Sequence, residues 1–195
     1  MKLTTTLNFI RSHSPCREGY RKLVNRLGGI EAYGADTEIN LLTILESNGV
    51  QDMLWCLRAT QQDSKKIASQ LAIGFAEECL PIFEARYLDD KRPRDCIQAC
   101  KDYTAGIITL EQLREKRRAA YAAAGYAVYA ADAAADAAAA AHAAYAADAG
   151  YADAGYADAA HAAHAAAAHA AAAHADADAA RERQADIIRG VLTWG

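Results

Sequence analysis

The sequence predicts an all-α protein, and three observations carry the prediction. Alanine fills 40 of the 62 positions from Ala119 to Ala180, and alanine is the strongest intrinsic helix former because it loses no side-chain entropy on becoming helical. Residues 1–118 repeat an apolar i, i+3, i+4 spacing punctuated by glycine, proline and capping residues. No convincing pair of strands is written anywhere in the chain. The expected architecture is a helical N-terminal domain (1–118), then a long alanine-rich helix or helical hairpin (119–180). A short amphipathic C-terminal helix (181–195) closes the chain.

Taken in order, Leu3–Arg11 reads as a first helix stopped near Ser14-Pro15, because proline disfavours helical backbone in the residue before it. Gly19–Leu27 reads as a second, with Tyr20, Leu23, Val24 and Leu27 on one face and Gly28-Gly29 as its C-cap. Residues 30–37 read as a loop or short turn. Asp36 or Thr37 is the expected cap of a helix carrying Ile39, Leu41, Leu42, Ile44 and Leu45, closed by Asn48-Gly49.

Val50–Thr60 is apolar enough for a central helix, with Trp55 as a core anchor. Asp63 or Ser64 should cap a long helix that Pro81 kinks or divides. The charged corner 89–95 places Pro93 in the first turn of a helix ending at Gly106. Thr109-Leu110-Glu111-Gln112 has the form of a capping box. It starts a helix that enters the alanine stretch without a linker. Arg181–Trp194 sets Ile187, Ile188, Val191 and Leu192 against charged residues, a pattern that packs back on the body.

The alanine stretch admits one competing reading. Read in fives, its centre (ADAGYADAGYADAAH) is similar to pentapeptide-repeat solenoids, whose central slot holds a bulky apolar residue. Here Ala154 and Ala159 occupy that slot, and alanine buries too little apolar surface at about 0.8 kcal/mol per methylene. The helix is preferred. Unbroken, it would be a rod of about 93 Å, so a break or a hairpin is expected at Gly125, Gly150 or Gly155.

Charge is unevenly placed. The net charge is −4; residues 1–118 carry 18 basic and 16 acidic side chains, the alanine stretch adds seven aspartates and no lysine or arginine, and the tail adds +1. A direct nucleic-acid binder would show a basic excess, which is missing here. Mimicry of nucleic acid by the acidic stretch is weak, since seven aspartates are sparse beside one charge per about 1.7 Å of B-DNA. No signal peptide is expected, because Met1-Lys2-Leu3 is followed by threonines rather than an apolar run, and no membrane span is expected. Five cysteines, an odd number without a recurring CxxC, fit a reduced, cytoplasmic protein.

Candidate chemistry is thin. His161 and His164, with Asp158 three residues earlier, could share a helix face, but His169 and His174 point elsewhere on a straight helix, so no tight metal site and no cofactor are expected. Cys96 and Cys100 at i, i+4 read as buried thiols. Cys16 follows His13 in HSPC, a local turn rather than a dyad. No nucleophile elbow, phosphate loop or dinucleotide fingerprint is present.

The segments HSPCREGYRKLVNRLGG, LLTILESNGVQDMLWCLRA, RPRDCIQACKDYTAGIITLEQL and RERQADIIRGVL resemble a group of phage and prophage proteins. The middle and C-terminal parts are also similar to an immunity-protein domain of the Imm-5-like type. The resemblance implies a small α-helical partner-binding protein, an inhibitor of a bacterial nuclease or defence complex. With no catalytic motif present, the expected function is binding of a host protein or protein complex without turnover, as a phage inhibitor of the anti-CRISPR or anti-defence kind acting in the host cytoplasm.

An immunity protein neutralising a toxin, an acidic nucleic-acid mimic and a histidine-based metal binder are the alternatives. Spacings of 11 and 18 residues align Tyr145, Tyr156 and His174 on one helical row, where tyrosines read as bulk against a neighbouring helix. On an extended helix whose exposed side chains are only Tyr, Asp and His, Tyr145, Tyr151, Asp153, Tyr156 and Asp158 are the expected partner-binding residues, because tyrosine buries a large rigid surface and keeps a polar tip. The alanine-rich helix also offers a surface for a homo-oligomer.

Overall fold

Ahead of the first helix, Thr4–Thr5 is extended rather than helical. A computed structural model describes residues 3–126 and 177–194. In it Thr4–Thr5 (β1) pairs antiparallel with Ile39–Asn40 (β2), Thr4 opposite Asn40 and Thr5 opposite Ile39. Three consecutive β-branched threonines favour extended backbone. The polar groups of Thr4 are further used by the loop after the fifth helix: its N–H donates to Gln62 Oε1 at 2.9 Å and its carbonyl accepts from Gln61 N–H at 3.0 Å. Thr6 then caps α1 (Leu7–Ser12), its hydroxyl accepting from Phe9 N–H. The expected first helix therefore starts four residues late. The pair is the only sheet among the described residues, and the fold is all-α.

The following elements are α2 (Arg17–Arg26), α3 (Ile30–Tyr33), α4 (Leu41–Asn48), α5 (Val50–Cys56) with a 3-10 turn at Leu57–Ala59, α6 (Lys65–Arg86), α7 (Arg92–Thr104), α8 (Leu110–Tyr126) and α9 (Ala177–Trp194). Their ends follow from local chemistry. Behind α2, Gly28 takes φ +86° and donates to Asn25 O while Gly29 N–H reaches back to Val24 O, a Schellman closure. Gly106 (φ +74°) ends α7 in the same way, with Ile107 N–H on Asp102 O.

The capping box forms reciprocally. Thr109 N–H donates to Gln112 Oε1 at 2.8 Å, and Gln112 N–H to Thr109 Oγ1 at 3.3 Å. The cap of α4 is Asn40, whose Oδ1 accepts from Leu42 N–H, and not the expected Asp36 or Thr37. Those two are held in the preceding turn, Asp36 by Asn8 and Thr37 by the carbonyl of Tyr33.

The core gathers around α6, where Leu71, Ala72, Phe75, Ala76 and Phe83 are fully or almost fully buried. Helix α6 runs through Pro81 without dividing. The buried flanks Leu80 and Phe83 hold the helix across the hydrogen bond that proline removes. Helix α7 lies beside it, tied by Arg94 to Glu84 and Lys101 to Glu77.

Helix α8 packs on α7 through Leu113, Ala120 and Ala123, all buried, and continues past residue 118 and through Gly125 to Tyr126. Helix α9 returns to the body. Gln184, Ala185 and Ile188 are buried, and Arg183 Nε donates to Glu78 Oε1 of α6 at 2.8 Å. No helix among the described residues is long and apolar enough to cross a membrane. The weak points Gly150 and Gly155 fall outside the described residues.

Candidate functional site

The residues expected to bind a partner, Tyr145, Tyr151, Asp153, Tyr156 and Asp158, lie outside the described residues, as do His161, His164, His169 and His174. Within the described body, a cleft of about 60 Å³ opens where the start of α2 meets the end of α4 and the outer face of α5.

The corner between α1 and α2 builds one rim. Ser14 adopts φ +55°, an uncommon conformation for a residue with a β-carbon, and turns Pro15 and Cys16 over the cleft. Cys16 caps α2, its Sγ accepting from Gly19 N–H at 3.3 Å. His13 is directed elsewhere. Its Nδ1 is bonded to Ser12 Oγ and Phe9 O, and its ring meets Phe9 edge-on at 4.8 Å. The HSPC motif therefore makes no cysteine–histidine dyad.

The floor and opposite rim are Ile10, Leu23, Ile44 and Cys56, with Tyr20 and Trp55 as aromatic walls. Trp55 is half-buried against the core rather than a fully enclosed anchor. The Arg58 guanidinium sits 5.2 Å from its ring centroid, a cation–π contact. The polar groups are Asn48 and Asp52. Asn48 Nδ2 donates both to Gly19 O (2.8 Å) and to Asp52 Oδ2 (2.7 Å), so one amide joins α2, α4 and α5.

Gly19 is required by this closeness. A β-carbon there would stand 2.6 Å from Asp52 Oδ2 and 3.0 Å from Cys16 Sγ. The sequence signals for this site were weak: an Asn-Gly pair that read only as a helix stop, and one aspartate among many.

Electrostatics in the cleft are one-sided. Among the described residues that line it, Asp52 is the single carboxylate, and there is no lysine, arginine or histidine. Burial first, then the charge of Asp52 and the neighbouring Cys16, pushes the Cys56 thiol up to about 12, so Cys56 is a neutral wall. Cys96 and Cys100 are likewise buried, with the Cys100 thiol raised by its hydrogen bond to Cys96 and then by burial.

A wider groove of about 490 Å³ lies between α6, α7 and α9. Its cations are the exposed Lys66 and Lys101, the second already paired with Glu77 at 2.6 Å. Among the described residues no three His, Cys, Asp or Glu side chains converge as a metal site would require. Compared with family models, curated proteins and solved structures, the chain has no match in any of the three.

Proposed function

We propose that this protein acts by binding another protein without turnover, as a phage-encoded inhibitor of a bacterial defence protein or complex. One observation supports this reading above the others. The tyrosine- and aspartate-bearing alanine stretch is entered and left by helices anchored in a packed body, through Leu113, Ala120 and Ala123 of α8 and Ala185 and Ile188 of α9. The body thus holds both helices that flank this stretch in the sequence. Tyrosines supply contact area with little loss of side-chain freedom, and the interspersed aspartates favour a basic partner surface and faster encounter at low salt.

The experiment is affinity capture from phage-infected cells followed by titration of the recovered partner. Binding should saturate at a fixed molar ratio. Tyr151→Ala combined with Tyr156→Ala should weaken it while leaving the melting temperature nearly unchanged. Substoichiometric inactivation of the partner over time would instead reveal an enzyme.

A further inference from the structure

The cleft between α2, α4 and α5 holds a fixed carboxylate for which the described residues supply no cation. Asp52 Oδ2 accepts from the neutral amide of Asn48. No lysine or arginine among the described residues forms an ion pair with Asp52. Asn48 locks the orientation of Asp52 by also bonding Gly19 O, and the absent side chain of Gly19 makes room for it. The remaining wall is apolar and aromatic: Tyr20, Leu23, Ile44 and Trp55. Tyr20 spends its hydroxyl on Leu7 O at 3.4 Å, which leaves its ring for the cleft.

A concave, mostly apolar space with one or two converging polar groups is the usual form of a small-ligand site. Here the polar end is negative. A half-buried carboxylate facing apolar walls is stabilised by a cation that brings its own hydrocarbon stem into the same space.

We propose that this cleft binds a primary alkylammonium group, its nitrogen on Asp52 and its short aliphatic stem between Trp55 and Tyr20. Size and geometry select the class. A volume of about 60 Å³ takes a chain of roughly four or five heavy atoms. With Oδ2 engaged by Asn48, Asp52 offers chiefly Oδ1, which suits the point charge of an ammonium better than the two-pronged guanidinium. The group could come from a free amine or from a lysine side chain of a bound protein, and the test separates these sources.

The chain contains two tryptophans, so a Trp194→Phe variant leaves Trp55 as the fluorescence reporter. At constant ionic strength, n-butylammonium should change that emission saturably, with a dissociation constant on the order of millimolar. n-Butanol, the neutral isostere, should bind roughly tenfold or more weakly, and so should n-butylammonium to an Asp52→Asn protein. The butanol comparison needs no change at the cleft and stands even if Asp52→Asn misfolds. Binding by n-butylammonium but not by a capped lysine (Nα-acetyl-lysine methylamide) places a free amine in the cleft; equal binding by both places a lysyl side chain. Equal binding of butanol and butylammonium, or no saturation by about 100 mM, overturns the proposal and leaves Asp52 a strut between helices.

Discussion

Ile187 of α9 packs directly onto Gly74 of α6: its Cγ2 stands 2.8 Å from the point a β-carbon on residue 74 would occupy. The missing side chain lets the C-terminal helix approach α6, and this brings Ile188 into the core and Arg183 within reach of Glu78. Two opposing effects meet at residue 74. Glycine inside a helix is worse than alanine by about 1 kcal/mol, whereas a β-carbon forced against a stiff β-branched side chain costs about 1–3 kcal/mol.

The overpacking should win. Gly74→Ala is expected to destabilise by about 1 kcal/mol net, measured by urea denaturation. In the background of Ile187→Ala, the same change should become neutral or stabilising. A stabilising Gly74→Ala in the wild-type background would show that the two helices do not meet this closely.

The Cys56 thiol predicts an alkaline limit to stability. Its folded value of about 12 lies above the ordinary 9.0, so between these values the unfolded chain loses a proton that the folded one keeps. Stability from this group is complete below pH 9 and is lost progressively up to pH 12, by something on the order of 4 kcal/mol. Cys100 acts in the same direction. Comparing urea midpoints of wild type and Cys56→Val from pH 8 to 11 isolates the contribution of Cys56. The variant should show the shallower decline, and parallel curves would contradict the burial.

At the acid side the relevant pair is Glu84 and Arg94, whose Nε–Oε1 distance is 2.6 Å and which joins α6 to α7. The hydrogen bonds from Arg94 hold the Glu84 carboxyl below its ordinary value of 4.5, against the opposing effect of burial. A depressed carboxylate contributes stability above its unfolded value and loses it as pH falls through the folded one. Arg94→Gln should therefore lower the melting temperature at pH 7 slightly and leave it nearly unaltered at pH 2. The effect is small because the arginine is exposed. An equal loss at both values would mean that Arg94 acts through packing instead.

Much of the local structure was legible in the residues themselves. The helix ends at Gly28, Gly49 and Gly106, the Thr109–Gln112 box and the entry of Pro93 depend on backbone hydrogen bonds formed within a few positions, so sequence neighbours determine them. The apolar face of Arg181–Trp194 likewise announced that this helix is buried on one side. What tertiary structure decided rests on partners far along the chain. Thr4–Thr5 is a strand because residues 39–40 and 61–62 take up its polar groups. Asn40 becomes the cap because that pairing sets where the next helix starts.

The cleft is a product of the same kind. Nothing near Asp52 in sequence distinguishes it from a solvated aspartate in the first turn of a helix. Gly19, 33 positions upstream, admits its carboxylate, and Asn48 fixes it. Trp55 read as core because a lone indole in an apolar run is usually enclosed. Which side of it remains open depends on where α2 crosses α5, and that crossing is set by packing between distant helices rather than by any local pattern.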